Sequence, residues 1–256
     1  MNITLIQADL VWNDPAANRN RFEREIFAVG ETDLVVLPEM FPTGFCTRPR
    51  EAAEPDGGPT LAWMRRTARK KGAALAGSVA VEQDGRYFNR FYFVRPDGAT
   101  VHYDKRHLFT YGGEHKEYTG GDRRVIAEYK GWRILLQVCY DLRFPVWSRN
   151  DRYYDLLLCV ANWPESRIAA WDTLLRARAI ENMAYVAGAN RVGRDSLDSL
   201  HTGHSVILTP LGKPLAGEGP ATEECILSAS ISLPRIRSLR DKYGFLEDRD
   251  RFSTEE

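Results

Sequence analysis

The feature that most constrains the fold is an apolar run that stops abruptly at a cysteine. Residues 134–138 read Ile-Leu-Leu-Gln-Val and follow a Gly-Trp pair, and a short apolar run of this kind predicts a strand in a sheet that is covered on both faces. Cys139 comes next. The residues after it, up to and beyond Pro145, predict a tight turn into a short helix with the proline in or near its first turn. This stretch favours a layered α/β fold.

Two interpretations of Cys139 are open at this point. A single cysteine after a buried strand is most often a small apolar residue of the core. A thiol at a strand-to-helix turn also faces unpaired backbone amides and the positive end of a helix dipole, both of which favour the thiolate. On the second interpretation, we expect a lowered thiol pKa and a nucleophilic role for Cys139.

The composition excludes several classes of protein. The 256 residues carry 35 Lys and Arg against 35 Asp and Glu, so the net charge does not indicate a nucleic-acid or anionic-membrane partner. The 4 cysteines lie far apart without a C-x-x-C pair, which argues against a disulfide framework or a zinc ribbon. The first residues predict a strand rather than a signal peptide, so we expect no targeting segment, and no apolar run approaches the ~20 residues of a membrane span. We expect a soluble, cytoplasmic protein with reduced thiols.

Strands alternate with helices along the chain, and a hairpin interrupts the alternation. The predicted helices are 18–29, with Phe22, Ile26 and Phe27 on one face, 60–71 and 167–183. The predicted strands are 3–10, 34–38, 73–81, 87–94, 99–103, 134–138, 154–161, 184–190, 205–208 and 225–231. No repeat or linker divides them, so we expect one domain over 1–256 with mixed sheets. Arg176 and Arg178 are interpreted as solvated or interface charges.

Three reactive side chains come at, or just after, the ends of predicted strands, where sites collect in layered α/β folds. They are Glu39, Lys105 and Cys139. Taken singly, Glu39 reads as a solvated strand end and Lys105 as a surface charge. Taken together, a carboxylate can accept the proton of a thiol, and an ammonium can stabilise both a thiolate and an oxyanion. This combination suffices for acyl transfer.

Four segments, in this order, make the chain resemble the carbon-nitrogen hydrolase (nitrilase) superfamily. They are Leu37-Pro38-Glu39-Met40-Phe41, Tyr103-Asp104-Lys105-Arg106-His107-Leu108-Phe109, Gly112-Gly113-Glu114 and Val138-Cys139-Tyr140-Asp141-Leu142-Arg143-Phe144-Pro145. The resemblance covers essentially the whole chain. It implies an α-β-β-α sandwich of two mixed β-sheets and a homodimer, with a C-terminal tail from about residue 232 that contacts the partner.

The resemblance also implies roles for individual residues. In that family, a Glu-Lys-Cys triad hydrolyses amides or nitriles through a thioester, without a metal or another cofactor. By resemblance, Glu39 is the general base, Lys105 stabilises the tetrahedral intermediate and Cys139 is the nucleophile. The backbone N–H of Tyr140 joins Lys105 in the oxyanion hole. Glu114 matches an additional glutamate that helps to position substrate and water in the amidase members.

Within the family, the short chain and the Tyr-Asp after the nucleophile favour an amidase over a nitrile hydrolase. Three segments, 39–45, 139–145 and Ala161-Asn162-Trp163-Pro164, resemble the bacterial omega-amidases. Those enzymes release ammonia from 2-oxoglutaramate or 2-oxosuccinamate, which carry a carboxylate at the far end. We therefore expect a cation near the pocket, and Arg143 is the candidate, although a structural salt bridge is an equal interpretation. The aromatic candidates for the pocket wall, which are as often plain packing, are Phe41, Phe45, Tyr111 and Trp163.

Other functions remain open. The chain can be an amidase, nitrilase or carbamoylase of the superfamily with another substrate, or a family member that binds or senses through its thiol without catalysis. His201 and His204 form only a weak metal pair, and a loop is the favoured interpretation. No histidine lies in a protease signature around Cys139, and the chain has no nucleotide-binding glycine motif.

Overall fold

A computed structural model describes residues 1–151, 153–217 and 222–250. In chain order, the strands are β1 (Asn2–Gln7), β2 (Leu34–Val36), β3 (Glu54–Pro55), β4 (Ala74–Gln83), β5 (Arg86–Val94), β6 (Thr100–Asp104), β7 (Ile126–Tyr129), β8 (Trp132–Val138), β9 (Leu156–Val160), β10 (Tyr185–Ala189), β11 (Val192–Arg194), β12 (Leu200–Thr202), β13 (Val206–Leu208), β14 (Pro214–Ala216) and β15 (Cys225–Ser230). The α-helices are α1 (Pro15–Ala28), α2 (Pro59–Lys71), α3 (Pro145–Ser148), α4 (Ile168–Glu181) and α5 (Leu233–Tyr243).

Two large sheets are both mixed. In the first, β15, β1, β2, β4, β5 and β6 lie side by side in that order, and β3 pairs with β4. There β1, β2 and β4 run parallel, whereas β15, β5 and β6 are antiparallel to their neighbours. In the second, the order is β14, β13, β10, β9, β8 and β7, with β8, β9 and β10 parallel. Strands β11 and β12 form a separate ribbon.

Side chains alternate along each strand between two apolar layers, because successive residues point to opposite faces. Leu5 of β1 and Leu136 of β8 point into the layer between the sheets. On the other face of the first sheet, Ile6 packs against α1 and α2. On the outer face of the second sheet, Leu157 packs with Trp171 of α4. The architecture is therefore an α-β-β-α sandwich, which confirms the predicted fold.

The helix predictions need four corrections. Helix α1 begins before residue 18 because Asp14 caps it, its side chain accepting from the backbone N–H of Ala17 at 2.9 Å. Phe27 is 43% exposed and does not share the buried face. Helix α4 begins at Ile168, one residue later than predicted, and ends at Glu181, two residues earlier than predicted. Arg178 is buried and donates to the Leu142 carbonyl at 2.6 Å, so its interpretation as a solvated charge is wrong.

The C-terminal segment starts with helix α5, which packs against the rest of the same chain. Ile236 of α5 is fully buried in the layer between the sheets. Arg240 donates to Asp155 at 2.9 Å. The sequence pattern did not predict this helix. Contact of the tail with a partner stays a prediction, and its last residues, 251–256, lie outside the described part of the chain.

Candidate active site

The topology brings the strand-end residues to one edge of the sandwich. Strands β2 and β6 run in the same direction in the first sheet, so Glu39 and Lys105 both follow strands that end at that edge. Strand β8 of the second sheet ends at Val138, directly before Cys139. Glu39, Lys105 and Cys139 all line one cavity. Residues that are far apart in sequence therefore share one site.

Lys105 is the centre of a buried ionic cluster. Its ammonium donates to Glu39 Oε1 at 3.0 Å, and to Glu114 Oε2 and Oε1 at 2.8 and 3.1 Å. All three side chains are almost completely buried. Phe45 covers the ammonium, with its ring centroid 5.4 Å from Nζ. A buried charge needs such partners, because desolvation without them is costly.

Two asparagines to which the sequence analysis assigned no role complete this arrangement. The Asn89 side chain of β5 donates to Glu39 Oε1 at 2.8 Å and to Glu114 Oε1 at 3.2 Å. Asn162 donates its backbone N–H to Glu39 Oε2 at 2.8 Å and its side-chain amide to the Glu39 carbonyl at 2.6 Å. Every carboxylate oxygen of Glu39 thus accepts a hydrogen bond. The signal in the sequence is an asparagine inside the aromatic strand Tyr-Phe-Asn-Arg-Phe.

The electrostatic environment of the site favours a protonated Lys105 and a neutral Cys139 thiol. Burial disfavours the ammonium, but Glu114 and Glu39 outweigh it and hold the pKa of Lys105 well above its ordinary value. For Glu114, burial and the charge of Glu39 raise the pKa in spite of Lys105. Burial and then Glu39 raise the pKa of the Cys139 thiol well above its ordinary value, with Lys105 opposing them. The prediction of a lowered thiol pKa is therefore wrong.

The turn that carries the nucleophile candidate has an unusual backbone. Cys139 has φ +46°, in the left-handed region that a non-glycine residue seldom adopts. A short 3-10 helix runs from Cys139 to Arg143, and α3 then begins with Pro145 in its first turn, as predicted. Strain at such a position persists only where the surroundings enforce it.

Asp141 enforces this turn and ties it to the Lys105 loop. Asp141 Oδ2 accepts from the Tyr103 hydroxyl at 2.7 Å and from the Val138 N–H at 3.0 Å. Its Oδ1 accepts from the His107 N–H at 3.0 Å and lies 2.8 Å from His107 Nδ1. Tyr103 and His107 flank Lys105 in sequence, so one buried carboxylate fixes Lys105 relative to Cys139.

The cavity has a volume of about 460 Å³. Of the residues predicted to form its wall, Phe45, Tyr111, Trp163 and Arg143 line it, as does Tyr140. Phe41 does not, and its placement is a correction: it is fully buried on the outer face of the first sheet against the rings of Phe22 and Trp63. The reason is Met40, whose φ of +42° redirects the chain after Glu39.

Further wall residues were missed in the sequence. Arg167 lies in the short 3-10 helix before α4 and lines the cavity with Phe109. The loop between β11 and β12 closes another side with Asp195, Ser196, Leu197 and Ser199. His201, at the base of this loop, lies 3.2 Å from Asp195. Burial and the charge of Arg191 lower the pKa of His201, in spite of Asp195.

The histidines do not form a metal site. His204 pairs with Asp172 of α4, with Nδ1 2.9 Å from Oδ2. Within residues 1–151, 153–217 and 222–250, no group of three or more His, Cys, Asp or Glu side chains is arranged to hold a metal ion. In the same ranges, no helix is both long and apolar enough to cross a membrane.

The chain belongs to the carbon-nitrogen hydrolase family, whose sequence model matches residues 2–241. It is 46% identical over 252 residues to the omega-amidase YafV of Yersinia enterocolitica, with 98% of each chain covered. It is 34% identical over 254 residues to the 2-oxoglutaramate amidase of Bacillus subtilis, with 96% of each covered. The chain is thus a hydrolase that acts on carbon-nitrogen bonds in linear amides.

A solved structure agrees with this assignment. A CN-hydrolase superfamily protein from Xanthomonas campestris, described with an arsenic adduct in its active site, superposes with a TM-score of 0.95. The two sequences are 42% identical, and the match covers 100% of this chain and 99% of the other. The family resemblance and the fold expected from sequence are therefore confirmed.

Proposed function

We propose that the protein hydrolyses a small amide that carries a carboxylate, such as 2-oxoglutaramate or 2-oxosuccinamate, to the acid and ammonia. The observation that supports this most is one cavity that joins a thiol, a buried Glu-Lys pair and, on its wall, two arginines that pair with no acid among the described residues. The similarity to an omega-amidase and to a 2-oxoglutaramate amidase gives independent support.

In the first half of the proposed reaction, Cys139 forms a thioester. Its sulfur attacks the amide carbon while Glu39 accepts the thiol proton, which is needed because the resting thiol is neutral. The Lys105 ammonium and the backbone N–H of Tyr140 stabilise the negative charge on the amide oxygen. The carbon-nitrogen bond then breaks, Glu39 returns the proton to the nitrogen, and ammonia leaves.

In the second half, water replaces the thiol. Glu39 takes a proton from water as the water oxygen attacks the thioester carbon, and the same oxyanion donors stabilise the intermediate. The carbon-sulfur bond breaks, and the thiolate recovers the proton from Glu39. Glu114 holds Lys105 through both of its carboxylate oxygens and helps to position the water. No atom beyond substrate, water and these side chains is required.

The direct test is ammonia release from a panel of compounds. The panel contains 2-oxoglutaramate, 2-oxosuccinamate, glutamine, asparagine, simple amides, nitriles and N-carbamoyl compounds. We expect the two oxo-amides to be preferred and Cys139→Ala to abolish release while the fold stays intact. Cys225→Ser, a change at a half-buried cysteine on the edge strand β15, is the control and should retain activity.

The same panel separates the alternatives. A preference for nitriles, N-carbamoyl compounds or uncharged amides would assign another substrate class of the superfamily. Full activity in Cys139→Ala would remove the proposed mechanism. No turnover of any compound, together with equal alkylation of all four cysteines, would favour a binding or thiol-sensing role.

We also propose that the chain works as one domain, in a cytoplasmic homodimer in which the tail from about residue 232 contacts the partner. The near-zero net charge of the chain is compatible with self-association. Sedimentation of the full chain and of a chain that ends after α5, which keeps the buried Ile236, tests the dimer. A monomer at every concentration for the full chain would contradict it.

A further inference from the structure

Two guanidinium groups on the cavity wall have no acidic partner. Arg143 and Arg167 both line the cavity, and neither forms an ion pair within the described ranges of the chain. Arg48 also lines the cavity, but it pairs with Glu51 at 3.2 Å and is largely exposed. Arg143 and Arg167 together are called the arginine wall below.

The arginine wall is held by aromatic rings. Arg143 lies over the ring of Trp163 at 4.9 Å. Arg167 lies over Phe109 at 5.2 Å and over Tyr111 at 5.9 Å. The Trp163 indole N–H donates to the Arg167 carbonyl at 2.8 Å, so both arginines are positioned from one residue. Ring contacts fix each guanidinium plane and leave its N–H donors free for a ligand.

The acids that line the cavity cannot satisfy these arginines. The Glu39 carboxylate is bound by Lys105, Asn89 and the Asn162 N–H. Asp195 accepts from the N–H groups of Leu197 and Ser199 at 2.9 Å each and contacts His201 with its other oxygen. Both acids that line the cavity, Glu39 and Asp195, therefore already accept hydrogen bonds from other residues. The positive charges of the arginine wall are therefore the ones that lack a carboxylate partner.

We propose that Arg167 acts together with Arg143 as the receptor for the substrate carboxylate and is a specificity-determining residue of the enzyme. This rests on the proposed function. The amide end must reach Cys139 and Lys105, where two carboxylates repel a third, so the acidic end of the substrate lies toward the arginine wall. Planar guanidinium groups match a carboxylate with paired N–H donors. The substrate class is a short linear amide with an anion at its far end.

The test compares one charged and one uncharged amide in several variants. The pair is 2-oxoglutaramate and 4-oxopentanamide, in which a methyl group replaces the carboxylate. For Arg167→Met, which keeps much of the chain length over the rings, we expect kcat/KM for 2-oxoglutaramate to fall about 10- to 100-fold, mainly through KM. For 4-oxopentanamide, kcat/KM should stay within about threefold. Arg167→Lys should recover part of the loss, and Arg143→Met should behave like Arg167→Met.

The outcomes separate this proposal from the proposed function. If the unchanged enzyme does not prefer 2-oxoglutaramate to 4-oxopentanamide, the proposed function fails. If it does but Arg167→Met keeps the preference, only the role of Arg167 fails. An equal loss on both amides would assign Arg167 a purely structural role through its contacts with Phe109 and Tyr111 and would also overturn the proposal. Arg66→Met, on the exposed face of α2, is the control and should change neither rate.

Discussion

At the inner end of the cavity each charged group has several polar partners, whereas the arginines on the wall have aromatic contacts only. We call Glu39, Asn89, Lys105 and Glu114 the buried cluster. Its ammonium makes three contacts with two carboxylates, and each side chain is at most 1% exposed. The arginine wall is half-buried and stacks on rings.

The difference indicates that the two regions have different functions, catalysis in the buried cluster and substrate recognition on the arginine wall. In the buried cluster, saturated hydrogen bonds in a region of low dielectric constant fix donors and acceptors in advance, which is what stabilisation of a developing charge requires. On the arginine wall, donors without acidic partners are available to a ligand. Substitutions in the first region should affect catalysis and folding together, and those in the second should affect substrate choice alone.

The largest effect is expected for Lys105→Met. This change leaves the carboxylates of Glu39 and Glu114 buried without their cation, so the free energy of unfolding should fall by about 3–5 kcal/mol. Because an oxyanion donor is also lost, kcat should fall about 10³-fold. Denaturant unfolding and ammonia release measure the two effects. Lys130→Met removes an exposed ion pair with Asp33 and should cost at most about 1 kcal/mol; equal costs for both variants would remove the contrast.

A smaller effect is expected for Asn89→Ala. It removes the amide that joins Glu39 to Glu114, so kcat should fall about 10-fold and stability by about 1–3 kcal/mol. Asn182→Ala is the matched control, because Asn182 is equally buried but donates to the Arg178 carbonyl away from the cavity. It should lose similar stability and keep kcat. A normal kcat for Asn89→Ala would show that the buried cluster catalyses without the hydrogen bonds of Asn89, which would contradict its assigned role.

The protonation state of the Cys139 thiol can be tested by a pH titration. Because burial and Glu39 raise the pKa of Cys139 above its ordinary value of 9.0, the protonated thiol should predominate at neutral pH, and the thiolate should form only above pH 9. The difference in ultraviolet thiolate absorbance between the unchanged protein and Cys139→Ser measures this titration. An inflection below pH 7 would instead indicate a stored thiolate and would make Glu39 unnecessary as the proton acceptor for attack.

The smallest effect is expected for Tyr111→Ala. Tyr111 is 88% exposed at the mouth of the cavity, and its loss leaves Arg167 over Phe109. We expect kcat/KM for 2-oxoglutaramate to change by no more than about threefold, and unfolding to be unaffected within about 0.5 kcal/mol. A loss as large as that of Arg167→Met would mean that the rim, rather than the guanidinium, selects the substrate.

The sequence predicted the layered fold because its apolar runs are short, regularly spaced and bounded by turn residues. It also indicated the positions of Glu39, Lys105 and Cys139, since each follows a strand and lies in a contiguous motif. Their proximity could be predicted because ends of strands that run in the same direction meet at one edge. Residue-to-residue contacts across the two sheets required the structure.

Other features depend on backbone geometry or packing that sequence patterns do not contain. The positive φ of Met40 turns Phe41 away from the cavity. Asn89 stands out only as an asparagine inside an aromatic strand, and this signal does not indicate its contacts with two glutamates. Arg167 reads as the first residue of a helix but belongs to the preceding 3-10 turn. For the thiol, burial and then Glu39 raise the pKa, with Lys105 opposing them, whereas a helix dipole alone predicts a lowered pKa.

The central claim is that Cys139 carries the acyl group during turnover. The most direct measurement is rapid acid quenching of the enzyme with 2-oxoglutaramate, followed by mass spectrometry of the intact protein and of its peptides. We predict a transient adduct with the mass of the product acid less one water, on Cys139 alone and absent from Cys139→Ser. Ammonia release by the unchanged enzyme without such an adduct, or with the adduct on Cys46, Cys159 or Cys225, would contradict the account.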